Sequence, residues 1–193
     1  MTEPVIWLRN GRVGLGPLDK GLVESYWRWD NEPATVLGYG RQTPDSLESR
    51  IEIVDSQLAN TSDQARFTVY ASDEVGSSMK PVGLTSLLID HQVRTAEFLI
   101  QLGSEGRGRG IGSEATRLTL DYAFHLTNLR MVWLKVLQPN GAAVHSYQKA
   151  GFKTVGRLRQ SGYWLGEVCD EVIMDSLAEE FTGESAVTRG LGA

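Results

Sequence analysis

The sequence predicts an α/β fold built on one mixed central sheet, and three observations carry that prediction. Phe67–Ala71, Val82–Ile89 and Ala96–Leu102 are strand-like segments joined by hairpin-length links, an antiparallel meander. A glycine-rich turn then leads into a segment of helical period, Ser113 to about Leu126, with Ile111, Ala115, Leu118, Tyr122 and Leu126 on one stripe. Strongly apolar Met131–Leu137 follows, so strand, helix and strand form a crossover that sets Met131–Leu137 parallel to Ala96–Leu102.

The elements before the meander follow from local signals. Val5–Leu8 and Arg12–Leu18 are extended pieces separated by the turn signal Asn10-Gly11. Asp19 can cap a helix running to about Asp30, with Leu22, Tyr26 and Trp29 on one face and Trp27 off it. Asn31–Gln42, broken by Pro33, Gly38 and Gly40, reads as a mobile loop. Thr43-Pro44-Asp45 signals a second helix with Pro44 at its first position, carrying Leu47, Ile51, Val54 and Leu58. Beyond the crossover, a short helix is followed by strand candidates Thr154–Arg159 and Glu167–Ser176 on either side of Gly162–Gly166. Residues after Phe181 are small and polar, which predicts a frayed tail. The expected organisation is one domain over 1–181 with a flexible tail over 182–193.

Composition bounds the function. With 193 residues, 41% of them hydrophobic, the chain can bury a core without disulfides. One cysteine, Cys169, excludes a disulfide framework and fits a reducing, cytoplasmic compartment. No apolar run reaches the ~20 residues that span a bilayer, and no secretion signal opens the chain, so no membrane partner is expected. A net charge of −5 argues against nucleic acid and suits cationic ligands. No His/Cys/carboxylate spacing suggests a metal; His91, His125 and His145 join no constellation.

The glycine-rich turn is Arg107-Gly108-Arg109-Gly110-Ile111-Gly112-Ser113. A strand, such a turn and a helix start make an anion site, because glycines admit positive φ and the free N–H groups of the first helical turn point at the ligand. The loop has no lysine, so it is not a Walker A motif, and Ser113 stands where a dinucleotide fingerprint needs its third glycine. Taken alone, the run suits either a phosphate site or an ordinary solvated turn. A second stretch, Pro139 to Phe152, is a helix bracketed by Asn140 as N-cap and Gly151 past its end. Asn140 and Tyr147 are seven residues apart, two helical turns, and share one side.

Together the two stretches resemble the GNAT superfamily of acyl-CoA-dependent N-acetyltransferases. Arg107-Gly108-Arg109-Gly110-Ile111-Gly112 is similar to the family's [Arg/Gln]-x-x-Gly-x-[Gly/Ala] loop, and Asn140…Ala143…Tyr147…Lys149…Gly151-Phe152 to its Asn-x-x-Ala-x-x-x-Tyr-x-Lys-x-Gly-Phe segment. Trp29-Asp30-Asn31-Glu32 and Ser113-Glu114-Ala115 resemble the branch of ribosomal-protein N-terminal and small-amine acetyltransferases. The resemblance implies an α/β (α+β) GNAT-type sheet, mixed and twisted, of about seven strands flanked by about four helices. Its two parallel strands should diverge at their C-terminal ends.

It also implies roles. Backbone N–H groups of Arg109, Gly110, Ile111, Gly112 and Ser113 would hold the pyrophosphate of acetyl-CoA, helped by the side chains of Arg107 and Arg109. Main-chain groups of Ile100 and Leu102 would pair with the pantetheine arm. Asn140 would hydrogen-bond the pantetheine or order a water, and Tyr147 would protonate the departing thiolate. Glu97 is either the base that takes the amine proton, directly or through water, or a solvated strand glutamate. The acceptor wall implied is Tyr26, Trp27, Trp29, Asp30, Glu32 and Tyr39, with Tyr163 and Trp164 opposite. Aromatics with carboxylates suit a small cationic amine, taken up by a monomer or homodimer. A peptide N-terminal acetyltransferase and a non-catalytic acyl-CoA-binding module are the alternatives.

Overall fold

The first hairpin sets the edge of the sheet. In the computed structural model, which describes residues 3–59 and 62–191, β1 (Leu8–Asn10) and β2 (Val13–Pro17) turn at Asn10-Gly11, where Gly11 takes φ +53°. β3 (Gln64–Ala71), β4 (Lys80–Asp90) and β5 (Thr95–Leu102) extend the meander, each antiparallel to the last. β6 (Met131–Leu137) lies parallel to β5, and β8 (Glu167–Leu177) returns antiparallel between β6 and β7 (Lys153–Trp164). The order is β1-β2-β3-β4-β5-β6-β8-β7. The sheet therefore has eight strands, not about seven, because the short N-terminal piece pairs as a strand of its own.

The β5–β6 ladder has three rungs: Thr95 opposite Met131, Ala96 opposite Val132 and Glu97 opposite Trp133. Both strands continue well past the last rung, so their C-terminal ends splay as expected. On one face of the sheet pack α4 (Ile111–Asp121) and α5 (Gly141–Ala150), over a core that includes Phe98, Val132, Leu134 and Met174. On the other lie α1 (Val23–Asp30) and α3 (Leu47–Ala59), whose Tyr26, Trp29 and Val54 cluster with Leu84.

Several expected elements shift for identifiable reasons. Among the described residues there are six α-helices rather than about four. Pro33–Gly38 is a short helix, α2, rather than a loop: Pro33 sits at its first position, where a missing N–H costs nothing. α3 begins at Leu47 and not at Pro44. The Asp45 amide donates to Asn31 Oδ1 (2.8 Å) and its carbonyl accepts from Trp27 Nε1 (2.7 Å), which holds that stretch out of the helix; Ser46 Oγ accepts from the Ser49 amide instead. β7 runs through Tyr163 and Trp164, because Leu165 (φ +52°) and Gly166 (φ +84°) alone make the turn.

The expected polar tail is also partly ordered. α6 (Ala186–Leu191) is seated on the buried carboxylate of Asp121, which accepts from Ser185 Oγ (2.6 Å) and from the amides of Ala186 (2.6 Å) and Val187 (3.3 Å). His125 Nδ1 lies 2.7 Å from the same carboxylate. Val187 is 3% exposed, so the segment contributes to the core; residues 192–193 of the expected tail lie outside the described residues. Asp121→Asn removes a charged acceptor shared by several donors, and should lower the unfolding free energy by roughly 1–3 kcal/mol in a denaturant titration.

Candidate active site

The site grows from the point where β5 loses its neighbour. Beyond Leu102 the chain makes a 3-10 turn at Ser104–Gly106 and enters the glycine loop. Gly108 (φ +70°) and Gly110 (φ +78°) occupy the left-handed region, and a Cβ at either would meet nothing within 4 Å. Only glycine takes this path without strain, and the space above it is open. Gly110 is the N-cap of α4 and supplies no side-chain acceptor. The amides of Ile111, Gly112 and Ser113 are thus first-turn donors with no helical partner. At α5, by contrast, Asn140 Oδ1 caps the Ala143 amide at 3.2 Å. An uncapped helix N-terminus behind two open glycines fits a phosphate.

The side chains around this loop differ from expectation. Arg107 and Arg109 do not stand free over it. Arg107 Nη1 pairs with Glu32 (2.7 Å) and its Nη2 donates to Thr35 Oγ1 (2.7 Å), while Arg109 pairs with Asp73 (2.7 Å). Ser113 Oγ lies 3.0 Å from Ser146 Oγ, tying α4 to α5. A Cβ on Gly112 would come within 3.2 Å of that Ser146 hydroxyl and 3.3 Å of Leu102, so this glycine serves close packing.

Along the splayed edge of β5, the Ile100 carbonyl accepts a hydrogen bond from Tyr39 (2.8 Å), and alternation turns the Leu102 main chain to the same edge. The α5 side supplies Tyr147, set edge-on against Phe98 (6.3 Å between centroids) and Phe152 (6.0 Å). Burial pushes its phenol up to about 12, so it holds its proton at neutral pH. Asn140 reaches toward α2, its Nδ2 3.5 Å from where a Gly38 Cβ would stand. Glu97 is at the last rung before the splay, opposite Leu88 and Trp133. Alternation from Phe98 turns it to the face opposite Tyr147.

The structure divides the expected acceptor wall. Tyr26 and Trp29 are 0% and 4% exposed and belong to the core, contrary to expectation. The Tyr26 hydroxyl lies 2.6 Å from Thr68 Oγ1, and Trp29 Nε1 donates to Glu105 (2.8 Å). Asp30 is buried in an ion pair with Arg50 (3.1 Å); burial raises its pKa and Arg50 pulls the other way. Trp27 is spent on the Asp45 carbonyl and Glu32 on Arg107. Tyr39 is 42% exposed over its whole surface, yet its hydroxyl end is enclosed and its pKa raised by burial. Tyr163 is 49% exposed and Trp164 half-buried at the end of β7; the Tyr163 carbonyl and Leu137 flank Gly40 across the mouth. Thr35 and Leu137 went unnoticed in the sequence, because neither sits in a motif and both act through residues distant in the chain.

Comparison with known proteins agrees with this geometry. Residues 12–153 match the acetyltransferase (GNAT) domain. The chain is 30% identical over 175 residues to spermidine N(1)-acetyltransferase of Escherichia coli K12, covering 89% of each protein. It is 25% identical over 177 residues to spermidine N(1)-acetyltransferase of Vibrio cholerae, covering 91% of this chain and 99% of that one. The fold superposes on the crystal structure of the V. cholerae spermidine N-acetyltransferase in complex with CoA and spermine, with a TM-score of 0.78 at 24% identity over 88% of this chain and 98% of that one. The chain belongs to the GNAT family of N-acetyltransferases, enzymes that take their acyl group from acyl-CoA.

Proposed function

We propose that the protein transfers an acetyl group from acetyl-CoA directly to the primary amine of a small aliphatic molecule. The observation that carries this reading is Tyr147, a protonated phenol held beside the open edge of β5. Pure binding needs no proton donor there. Acetyl-CoA supplies an activated thioester when bound. The first-turn amides of Ile111, Gly112 and Ser113 receive its pyrophosphate, the β5 edge at Ile100 and Leu102 lines the pantetheine, and Tyr147 gives its proton to the departing sulfur.

Glu97 takes the amine proton through water rather than by contact. It lies three residues short of Ile100, roughly 10 Å at ~3.3 Å per strand residue, on the face opposite Tyr147. Acid and base thus work from opposite faces of the splay. The acceptor enters on the α1–α3 side, bounded by Tyr39, Tyr163 and Leu137. The relatives named above act on spermidine, and one binds spermine, which favours a flexible aliphatic amine.

Four outcomes test the reading. Gly110→Val forces a β-branched residue into φ +78° and should weaken CoA binding by about tenfold or more while the protein stays folded, as followed by calorimetry. Undiminished affinity would give the loop another role. Tyr147→Phe should lower kcat with little change in CoA affinity. In the wild type, kcat should rise with pH as the acceptor loses its proton, with no falling limb from Tyr147 below about 12. A side-by-side assay of aliphatic amines and free-N-terminus peptides should favour the amines. Peptide turnover above that of every amine would make the protein a peptide N-terminal acetyltransferase, and no turnover of either a binding module.

A further inference from the structure

Three side chains of one short segment each reach a group that the cofactor reading assigns to acyl-CoA. Glu32 Oε2 lies 2.7 Å from Arg107 Nη1, and Thr35 Oγ1 accepts from Arg107 Nη2 at 2.7 Å. The Tyr39 hydroxyl donates to the Ile100 carbonyl at 2.8 Å. The Arg107 pair is a partly buried one, with side-chain exposures of 34% and 22%. These contacts sit at the phosphate loop and on the splayed edge of β5, and α2 spans between them.

Each contact uses what the phosphate or the pantetheine arm of acyl-CoA would need. A guanidinium fork binds carboxylate and phosphate through the same donors, so Arg107 cannot keep Glu32 and serve a phosphate with its whole fork. The Ile100 carbonyl lost its strand partner at the splay and must be satisfied. Tyr39 does this in the direction from which an amide N–H added along the strand would come. The segment is also built to move as a unit. α2 is six residues long, Pro33 stiffens its start, and Gly40 at φ +65° follows its end, a position that absorbs backbone rotation.

We infer that Glu32–Gly40 is a built-in competitor for the cofactor: acyl-CoA takes Arg107 from Glu32 and the Ile100 carbonyl from Tyr39, and the released carboxylate and phenol turn to the amine acceptor. The inference rests on the acyl-CoA reading above. Its consequence is an order of binding. An amine arriving first finds the Glu32 carboxylate neutralised by Arg107; an amine arriving after the cofactor finds its charge uncompensated, with only the neutral Ser104 amide still donating to Oε1 (3.1 Å). Glu32 and Tyr39 are thus positioning residues for the acceptor whose availability the cofactor controls.

The test is a calorimetric titration of CoA into the wild type, Tyr39→Phe and Glu32→Gln, with circular dichroism to establish that each variant is folded. Failure of the wild type to bind CoA would sink the cofactor reading itself. Given binding, each variant should hold CoA about three- to tenfold more tightly, since Tyr39→Phe loses one competing hydrogen bond and Glu32→Gln the charge of one competing ion pair, while KM for the amine rises. Equal or weaker CoA affinity in either variant overturns the inference, because a residue that contacts the cofactor or only supports the fold does not improve binding when trimmed. Hydrogen exchange gives a second readout: amides of 34–40 should exchange faster when CoA is added, and slower exchange would count against release.

Discussion

Three rungs of parallel ladder decide the architecture of this protein. β1 to β5 form one antiparallel half of the sheet and β6, β8 and β7 the other; among the described residues the ladder of Thr95–Glu97 against Met131–Trp133, with the Arg130 amide donating to the Arg94 carbonyl (2.9 Å) just before it, joins them by main-chain pairing. Each rung further would close the edge where Ile100 and Leu102 present their main chain, and each rung fewer would leave the halves to be held by side chains. The join is supported from both sides. α4 and α5 brace it over Phe98, Val132 and Leu134, and α1 and α3 cover the neighbouring face through Trp29 and Leu84. Separating the strands beyond Glu97 strands polar groups that demand partners, and the opening is therefore chemically receptive.

That geometry is matched by a cluster of charged side chains from one stretch, residues 30–50, packed beside it. Asp30, Arg50, Arg41 and Asp45 form a charged layer beneath it: Asp30 with Arg50 at 3.1 Å, and Arg41 with Asp45 and with the Asp30 carbonyl (2.6 Å). A buried ion pair is a poor source of net stability, since desolvation offsets most of the attraction. Its use here is orientation. The layer fixes the end of α1 and the approach to α3, so that α2 between them is aimed at Ile100 and Arg107.

What the sequence disclosed and what it hid divide along the range of the forces involved. Short-range rules were legible. Glycines at 108 and 110 meant positive φ, Asn140 and Gly151 bracketed α5, and the pattern of Met131–Leu137 after a helix meant a parallel neighbour. Partnerships made across the chain were not. Arg107 reads as a cation standing free over the loop, and nothing local says that Glu32 and Thr35, more than seventy residues earlier, hold it. Tyr26 and Trp29 look like an aromatic wall because an amphipathic stripe does not say whether it faces core or cleft; at 0% and 4% exposure they face core. α6 escaped notice because its docking depends on one carboxylate, Asp121, and not on apolar periodicity. α2 was masked by Pro33 and Gly38, which mark a loop and the ends of a short helix alike.

The same distinction bears on charge. A net charge of −5 gives no hint of an anion site, and a survey of lysines and arginines would pass over this loop, since Arg107 and Arg109 are each matched by a carboxylate. Fields from exposed charges fade within about 8–10 Å at physiological ionic strength, so the global balance scarcely reaches the loop. What remains there is fixed: amides of the first turn of α4, held by the fold and left uncapped by Gly110. Such donors need no reorganisation and cannot be neutralised by a wandering side chain. On the reading proposed above, the acidic surface favours a cationic acceptor while these fixed amides, before any side chain is released to join them, receive the polyanionic donor, and the two charges meet where β5 and β6 part.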